Sequence, residues 1–406
     1  MTDRGTPAFG AAGPSTAGPV KPGLILLAAG GTGGHVFPAR ALAEALLARG
    51  LRVGLVTDRR GTAFDTARDG LDVYRIRAAG IAGRGLVAKL KAAGELLLGY
   101  LEARTLIRRL RPDVVVGFGG YASVPTVLAA SARGVRSVLH EQNAVLGRAN
   151  RLLASRADAI ATGFADVGKV RPDHRDKLVL TGNPVRAAIA AIRDIAATPL
   201  KPDDPIELLI TGGSQGASVF AEAVPAAISL LPAALRDRLR ISQQARDAEL
   251  ESVTEAYRKL GVDAEVRRFF DDLPERLATA RLLICRSGAS TVAENTAAGR
   301  PALLIPYPHA IDDHQHANAR AIEACGGAVV LPQAELTAAT LAQALTAVLG
   351  DPGHLARMAD AARAAGIADA DHRLVELVLR IARLPKGENA TVADRAPTTT
   401  IQRVAA

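Results

Sequence analysis

Tryptophan is absent from this 406-residue chain, and the aromatic residues together make up only 3% of it. Proteins that hold single-stranded nucleic acids stack the bases on aromatic side chains, so that class is disfavoured. The two cysteines, Cys285 and Cys325, lie far apart and match neither a disulfide framework nor a metal-ligand pattern. We therefore expect a protein of a reducing cytoplasm.

A long uninterrupted apolar segment is also lacking. The longest charge-free stretch, from Val114 to Ala132, contains three glycines and Pro125. This pattern favours a strand, a glycine-rich turn and a helix start over a membrane span. Residues 1–20 have no sustained apolar core, which favours a disordered arm over a secretory signal. We expect at most peripheral contact with a membrane.

What the chain does contain is enough apolar material for two cores, since 49% of its residues are hydrophobic. Its 50 Lys and Arg residues exceed its 41 Asp and Glu residues, which gives a net charge of +9. Such a charge favours anionic partners, among them nucleotides, pyrophosphates and acidic lipid head groups, without choosing between them.

Short apolar runs alternate with longer Ala/Leu/Arg-rich helical stretches, and this alternation is typical of parallel, doubly wound α/β sheets. The pattern restarts after a proline-rich link at 196–205. We predict an N-terminal domain at 21–200, a C-terminal domain at 201–371 and a disordered tail at 385–406. Both domains open with an apolar strand, a Gly-Gly turn and an Ala-rich helix, as two Rossmann-like sheets do.

Three glycine-rich turns follow predicted strands, and they begin at Gly30, Gly117 and Gly212. Glycines at such a turn let backbone N–H groups approach an anion at the helix start, so a phosphate is the expected guest. The first turn lacks both the spacing of a dinucleotide fingerprint and the Gly-Lys-Ser/Thr of a P-loop. These differences argue against an NAD-dependent oxidoreductase and against an NTPase.

Several longer segments together resemble the MurG family of glycosyltransferases. They are GGTGGHVFPARALAEAL from Gly30, GFGGYASVP from Gly117, HEQNAVLGRANRLLA from His140, TGNPVR from Thr181, GGSQGA from Gly212 and CRSGASTVAENTAAGRPALLIPYPHAIDDHQHANA from Cys285. The resemblance spans residues 22–384, with the segments in the family's order and spacing.

The resemblance implies a two-domain GT-B fold and an inverting transfer of N-acetylglucosamine from UDP-N-acetylglucosamine to lipid I, the undecaprenyl-linked acceptor of peptidoglycan synthesis. It further implies no metal and no cofactor, a donor site mostly on the second domain, and a last helix at 372–384 that packs on the first domain. A peripheral location on an anionic membrane, at the cytoplasmic face of the bacterial inner membrane, is implied too.

Candidate substrate-binding residues follow from chemistry and from this resemblance. A carboxylate such as Glu294 accepts both hydroxyls of a ribose, and a guanidinium such as Arg186 neutralises a pyrophosphate. A helix-dipole partner and a surface arginine are the alternatives. The resemblance assigns the remaining donor and sugar contacts to Thr32, Gly33, Gly34, Asn143, Ser214, Phe270, Ala289, Ser290, Thr291, Val292, Ala293 and Gln315.

His35 is the first candidate for the general base, because an imidazole titrates near neutral pH and accepts a proton from a sugar hydroxyl. It could equally act as a neutral group that only orients the substrate. Glu141 is the second candidate, and Tyr121 and His140 are further candidates on the acceptor side.

Two other features remain open on the sequence alone. The cluster of His309, Asp312, Asp313, His314 and His316 has metal-ligand chemistry, but its spacing matches no standard site, and we expect no metal. Residues 80–110 mix leucines with Arg84, Lys89 and Lys91. That mixture suits either an anionic membrane face or an ordinary amphipathic helix pair, and the family resemblance favours the membrane.

Two rival functions fit the same donor site. A UDP-N-acetylglucosamine 2-epimerase can share the two-domain architecture, although it needs neither the HEQN and GGYAS segments nor a lipid-facing patch. A UDP-sugar-binding regulator without catalysis is the other rival, and the intact His35, Glu141 and Glu294 argue against it.

Overall fold

The structure is a computed structural model, and it describes residues 23–30, 33–58, 71–78, 86–195, 200–201, 203–213 and 216–384. The predicted arm at 1–20, the predicted tail at 385–406 and half of the predicted link fall outside these ranges. Thr32, Ser214 and Arg84 lie outside the described residues as well. For residues 86–91 the structure describes the helical backbone only.

Seven strands of the described chain form a first sheet, in the order β3-β2-β1-β4-β5-β6-β7. Every neighbouring pair in it is parallel. Its strands are β1 (Leu24–Ala28), β2 (Arg52–Asp58), β3 (Leu71–Ile76), β4 (Val114–Gly117), β5 (Arg136–Glu141), β6 (Ala159–Thr162) and β7 (Leu178–Leu180).

A second parallel sheet is built from six strands of the described residues, in the order β10-β9-β8-β11-β12-β13. Its strands are β8 (Ile206–Thr211), β9 (Leu239–Gln244), β10 (Asp263–Arg267), β11 (Leu282–Cys285), β12 (Ala302–Leu304) and β13 (Ala328–Val330). The predicted fold class, two Rossmann-like parallel sheets in a GT-B arrangement, is confirmed.

Central strands of both sheets are apolar without alternation because helices cover both faces. All five residues of β1 are buried, as are all four of β11. The two strands that the sequence did not reveal, β3 and β13, lie at sheet edges. In β3 half-exposed and exposed residues precede one buried residue, Ile76, so its sequence shows no apolar run.

Helices connect successive strands and cover the sheets. They are α1 (Gly33–Leu47), α2 (Leu86–Leu110), α3 (Ser123–Ser131), α4 (Arg148–Leu153), α5 (Ala187–Ala190), α6 (Ser218–Ser229), α7 (Ala233–Arg236), α8 (Leu250–Leu260), α9 (Leu273–Thr279), α10 (Ala289–Ala297), α11 (His314–Ala324), α12 (Ala338–Leu349), α13 (Pro352–Ala365) and α14 (Ala370–Ala382). Among the described residues, no helix is long and apolar enough to cross a membrane.

The last helix, α14, returns from the second domain and lies against the first sheet. Leu374, Val375 and Val378 are fully buried in the core of that sheet. Arg136 of β5 donates to the Ile381 carbonyl oxygen over 2.9 Å and fixes the end of the helix. The first domain therefore depends on residues from the far end of the described chain.

We expect Leu374→Ala to destabilise the first domain, because it removes a fully buried side chain from the core of that domain. Large-to-small core substitutions of this kind cost about 2–5 kcal/mol. Arg373→Ala on the exposed face of the same helix is the matched control, since its ion pair with Asp369 is exposed. Urea unfolding followed by circular dichroism measures both. Equal midpoints for the two variants would contradict the packing role of α14.

Candidate active site

A cleft of about 3060 Å³ lies between the two domains, where the carboxyl ends of both sheets face each other. Ligands of doubly wound sheets bind at this edge. The described candidates that line it come from both domains: Gly34, His35, Tyr121, Glu141, Asn143, Arg186, Phe270, Ala289, Ser290, Thr291, Glu294 and Gln315. Gly33 is described only as the first residue of α1.

The first two glycine turns pack against each other. A Cβ on Gly30 would lie 2.9 Å from the Tyr121 backbone nitrogen, and one on Gly120 would lie 2.9 Å from the Gly30 Cα. Gly120 also has a φ of +75°, which non-glycine residues rarely adopt. Close backbone approach thus requires glycine here, independently of any phosphate.

His35 lies half-buried at the start of α1. Its Nδ1 is 3.2 Å from Gln142 Oε1. Burial lowers the pKa of His35, while the nearby Glu141 carboxylate, the Gln142 side chain and the Phe118 carbonyl oppose that shift and His314 adds to it. The imidazole is therefore neutral at neutral pH, and a neutral imidazole is the form that accepts a proton.

Glu141 is only 2% exposed, and four donors engage its two carboxylate oxygens. Oε1 accepts from the backbone and side-chain nitrogens of Asn143, at 3.0 and 3.2 Å. Oε2 accepts from the Gly147 backbone over 2.7 Å and from Asn150 Nδ2 over 2.8 Å. This geometry makes Glu141 the organiser of the loop at 141–150, which leaves His35 as the stronger candidate for the base.

Asn143 bridges the domains. Besides its bonds to Glu141, its Oδ1 accepts from Asn318 Nδ2 of α11 over 3.1 Å. Asn318 is fully buried, donates also to the Ser287 carbonyl and accepts from the Ala144 backbone N–H over 2.8 Å. A sugar contact by Asn143 would share a side chain that already joins the two domains.

Glu294 and Arg186 form an ion pair across the cleft, with 3.1 Å between Arg186 Nε and Glu294 Oε1. Burial raises the pKa of Glu294, and the charge and hydrogen bond of Arg186 oppose this shift. The structure thus joins two residues for which the sequence suggested separate ligands, a ribose and a pyrophosphate. A nucleotide entering the cleft meets an arginine and a carboxylate that can each exchange this bond for one to the ligand.

Helix α10 presents its two sides differently. Ala289, Ser290, Thr291 and Glu294 line the cleft, as the helical period allows. Val292, only 3% exposed, packs into the core beneath. Ala293 is half-buried and does not line the cleft. Val292 and Ala293 were both predicted to contact the nucleotide, but neither side chain faces the cleft.

Phe270 and Gln315 also lie in the second-domain half of the cleft. Phe270 is half-buried, and the Arg276 guanidinium stacks over its ring at 4.3 Å. Gln315 Oε1 accepts from the Tyr307 backbone over 2.9 Å, which fixes the side-chain amide with its nitrogen available as the donor. An amide donor held in this way suits a sugar hydroxyl or an N-acetyl carbonyl.

The histidine and aspartate cluster at 309–316 serves the domain interface. Asp312 accepts from Arg151 over 2.8 Å and from Lys169 over 3.1 Å, both in the first domain. These partners lower the pKa of Asp312 to about 2. His316 pairs with Asp313 at 3.0 Å. Within the described ranges, no group of three or more His, Cys, Asp or Glu side chains could hold a metal ion.

Sequence reasoning missed four buried or half-buried groups at the cleft. They are Gln142 beside His35, Gln244 beneath the third glycine turn, Arg286 beneath Tyr307, and Asn318 at the domain interface. Gln244 accepts from the Gly212 N–H over 3.1 Å and donates to the Gly213 carbonyl over 3.2 Å, so it fixes that turn. Each has contacts far away in sequence, which no local motif reveals.

Two doubly wound domains that meet at such a cleft define the GT-B class of glycosyltransferases. Residues 25–162 match the Glycosyltransferase family 28 N-terminal domain, and residues 207–374 match the Glycosyltransferase family 28 C-terminal domain. The crystal structure of Acinetobacter baumannii MurG is 30% identical, covers 88% of this chain and 100% of its own, and superposes with a TM-score of 0.74. The chain belongs to the MurG family.

A relative from Paramagnetospirillum magneticum is 54% identical over 356 residues, which are 88% of this chain and 96% of the relative. Its name is UDP-N-acetylglucosamine--N-acetylmuramyl-(pentapeptide) pyrophosphoryl-undecaprenol N-acetylglucosamine transferase. A UDP-GlcNAc 2-epimerase from Neisseria meningitidis, bound to UDP-GlcNAc, is 14% identical with a TM-score of 0.56. That likeness shows a shared fold alone.

We expect uridine binding to weaken as the pH falls through the raised pKa of Glu294. Only the ionised carboxylate accepts from both ribose hydroxyls, so affinity is full above that pKa and is lost below it. Glu294→Gln should bind uridine about tenfold to a hundredfold more weakly, the range of one or two charge-assisted hydrogen bonds, and should show no such pH dependence.

Titration calorimetry or NMR with uridine tests this, because uridine carries no phosphate that titrates in the same range. Glu251→Gln, exposed on α8 and outside the cleft, is the matched control. A wild-type affinity that is flat from pH 4 to pH 8, or equal losses in both variants, would refute the ribose role of Glu294.

Proposed function

We propose that this chain transfers N-acetylglucosamine from UDP-N-acetylglucosamine to the muramyl sugar of undecaprenyl-pyrophosphoryl-N-acetylmuramyl-pentapeptide, converting lipid I to lipid II. The supporting observation is a single cleft that carries nucleotide-binding chemistry on one wall and a neutral histidine on the other. The name of the relative that shares 54% identity describes the same transfer.

The donor would bind the wall formed by the second domain. Glu294 accepts the ribose hydroxyls, and Arg186, released from its bond to Glu294, pairs with the pyrophosphate. The start of α10 and the backbone N–H of Gly213 add donors near the phosphates, and α10 adds a positive helix end. These groups stabilise the charge that develops on UDP as it leaves.

The acceptor would approach from the first domain, beside His35. Its sugar hydroxyl attacks the anomeric carbon while His35 takes the proton, and the bond from that carbon to the UDP oxygen breaks in the same step. One displacement of this kind inverts the configuration. Holding both substrates in one cleft supplies the orientation that such a bimolecular step requires.

The exposed face of α2 supports peripheral membrane binding. Leu97 and Leu101, which are 60% and 47% exposed, share one helical face with the exposed Arg104 and Arg108. Apolar side chains beside cations suit an anionic lipid surface, and the net charge of +9 acts in the same direction. We propose that the enzyme works at the cytoplasmic face of the inner membrane, in the cell-wall synthesis that supports cell shape and division.

Incubation with UDP-N-acetylglucosamine and a lipid I analogue should release UDP only when the acceptor is present. The product should carry the new glycosidic bond in inverted configuration, readable from the anomeric coupling constant by NMR. His35→Asn should lower kcat by about a hundredfold or more, the contribution expected of a general base. UDP release without acceptor, or formation of the 2-epimer, would overturn the proposed transfer.

Replacing Leu97 and Leu101 together by serine should weaken binding to vesicles that contain anionic phospholipid. The change removes exposed apolar area from the proposed lipid-facing side without touching the cleft. Leu230→Ser is the matched control, because Leu230 is 57% exposed on the second domain. Vesicle cosedimentation measures binding, and uridine titration confirms an intact donor site. Unchanged cosedimentation of the double variant would refute this membrane face.

A further inference from the structure

A chain of hydrogen bonds connects His35 with a buried backbone carbonyl of the first domain. Gln142 Oε1 lies 3.2 Å from His35 Nδ1. Gln142 Nε2 lies 2.9 Å from His140 Nδ1, and His140 Nε2 lies 3.2 Å from the Gly182 carbonyl oxygen. His140 is fully buried and Gln142 is 2% exposed. Solvent therefore does not compete for the bond between Gln142 and His140 or for the bond between His140 and Gly182.

The direction of the bond between His140 and Gly182 follows from its acceptor. A carbonyl oxygen only accepts, so His140 Nε2 carries a proton and donates it to Gly182. Burial lowers the pKa of His140 to about 4, so this ring is neutral at neutral pH and its Nδ1 is an acceptor. The atom of Gln142 that faces His140 Nδ1 must then be a donor.

The surroundings of Gln142 demand the same orientation. Its Nε2 lies 3.0 Å from the Phe118 carbonyl oxygen and 3.1 Å from the His140 carbonyl oxygen. Turning the amide over would bring its oxygen against both carbonyls and against the lone pair of His140 Nδ1. The NH₂ group consequently faces the interior, and Oε1 faces His35 as an acceptor.

From this geometry we infer that Gln142 is a positioning residue that keeps the proton of neutral His35 on Nδ1 and leaves Nε2 as the basic nitrogen. This inference extends the proposed function, and its consequence for catalysis rests on that proposed function. During transfer, Nε2 gains the proton of the acceptor hydroxyl, the hydroxyl oxygen gains the bond to the anomeric carbon, and UDP departs with the electron pair. Nδ1–H stays bonded to Gln142 throughout.

The position of the ring agrees with this assignment. A Cβ built on Gly119 would lie 3.0 Å from His35 Cε1 and 3.2 Å from Nδ1, but 3.7 Å from Nε2. The Nδ1 edge thus faces the protein more closely than the Nε2 edge does. His35 also lines the cleft where the acceptor is proposed to bind.

Charged and titratable groups reach His35 from three sides. Glu141 of β5 raises the pKa of His35, and His314 of α11, in the second domain, lowers it. The third group is His140, whose pKa is lowered by burial and by the nearby His35, so its ring is neutral. Burial outweighs the contributions that raise the pKa of His35, so the ring is neutral. Gln142 therefore selects between the two neutral tautomers of His35.

The first experiment needs no substrate. Histidine labelled with ¹⁵N reports by two-dimensional NMR which ring nitrogen carries the proton, and His35→Asn identifies the His35 signals among the eight histidines. We expect the Nδ1–H form in the wild type and a mixture of both forms in Gln142→Met. A wild-type ring protonated on Nε2 would overturn the inference, whatever the activity of the enzyme proves to be.

The second experiment measures the pH profile of kcat with UDP-N-acetylglucosamine and a lipid I analogue. Gln142→Met should lower kcat by about tenfold to a hundredfold with little change in KM for the donor, since only the base is affected. The acidic limb of Gln142→Met should also move to lower pH, because the hydrogen bond of Gln142 is one of the contributions that raise the pKa of His35.

Thr126→Val is the control, because Thr126 is equally buried in α3 and bonds only locally, to the Ala122 carbonyl. It should change neither kcat nor the acidic limb. Acidic limbs that coincide in the wild type and in Gln142→Met would contradict the inference. Absence of transferase activity in the wild type would instead refute the proposed function, and the NMR result would still decide the tautomer.

Discussion

The geometry of the cleft depends on the hydrogen bonds that the buried Glu141 side chain accepts from the loop after β5. A side-chain carboxyl group that is 2% exposed is stable only when donors replace its lost water. Here the donors belong to Asn143, Gly147 and Asn150, all within the loop that follows β5. Removing any of them leaves a buried acceptor without its partner, at a cost of about 1–3 kcal/mol. The loop therefore has one strongly preferred conformation.

Both sides of the site inherit their geometry from that loop. Gln142, between Glu141 and Asn143, is turned inward to its carbonyl acceptors, and Ala144 meets Asn318 of the second domain. Farther along, Arg151 reaches Asp312. Ion pairs that water still reaches, such as this one, contribute less than fully buried bonds do, so the buried amide of Asn318 defines the register of the two domains more strongly. Ion pairs that water reaches, such as those of Asp312, are compatible with hinge motion around a bound donor.

The fold could be predicted because its determinants are local. Buried parallel strands such as β1 are apolar throughout, and the glycine turns stand directly after them. Edge strand β3 could not be predicted, because it forms through pairing with β2 and has no apolar run in its sequence. In the site, Glu294 and Arg186 could be named from charge and motif, but not their mutual bond across the cleft. Gln142 could not be named, since its acceptors come from β5 and from the turn after β4.

The two walls of the cleft solve opposite electrostatic problems. On the proposed donor side, burial raises the pKa of Glu294, and Arg186 supplies the charge that opposes this shift. On the proposed acceptor side, burial lowers the pKa of His35, which keeps the ring neutral and makes it a weaker base. A weaker base is sufficient when proton transfer accompanies bond formation, because the hydroxyl becomes acidic only as its oxygen bonds to carbon. Since His314 acts on His35 from the second domain, the basicity of the first wall depends on how the two domains are held together.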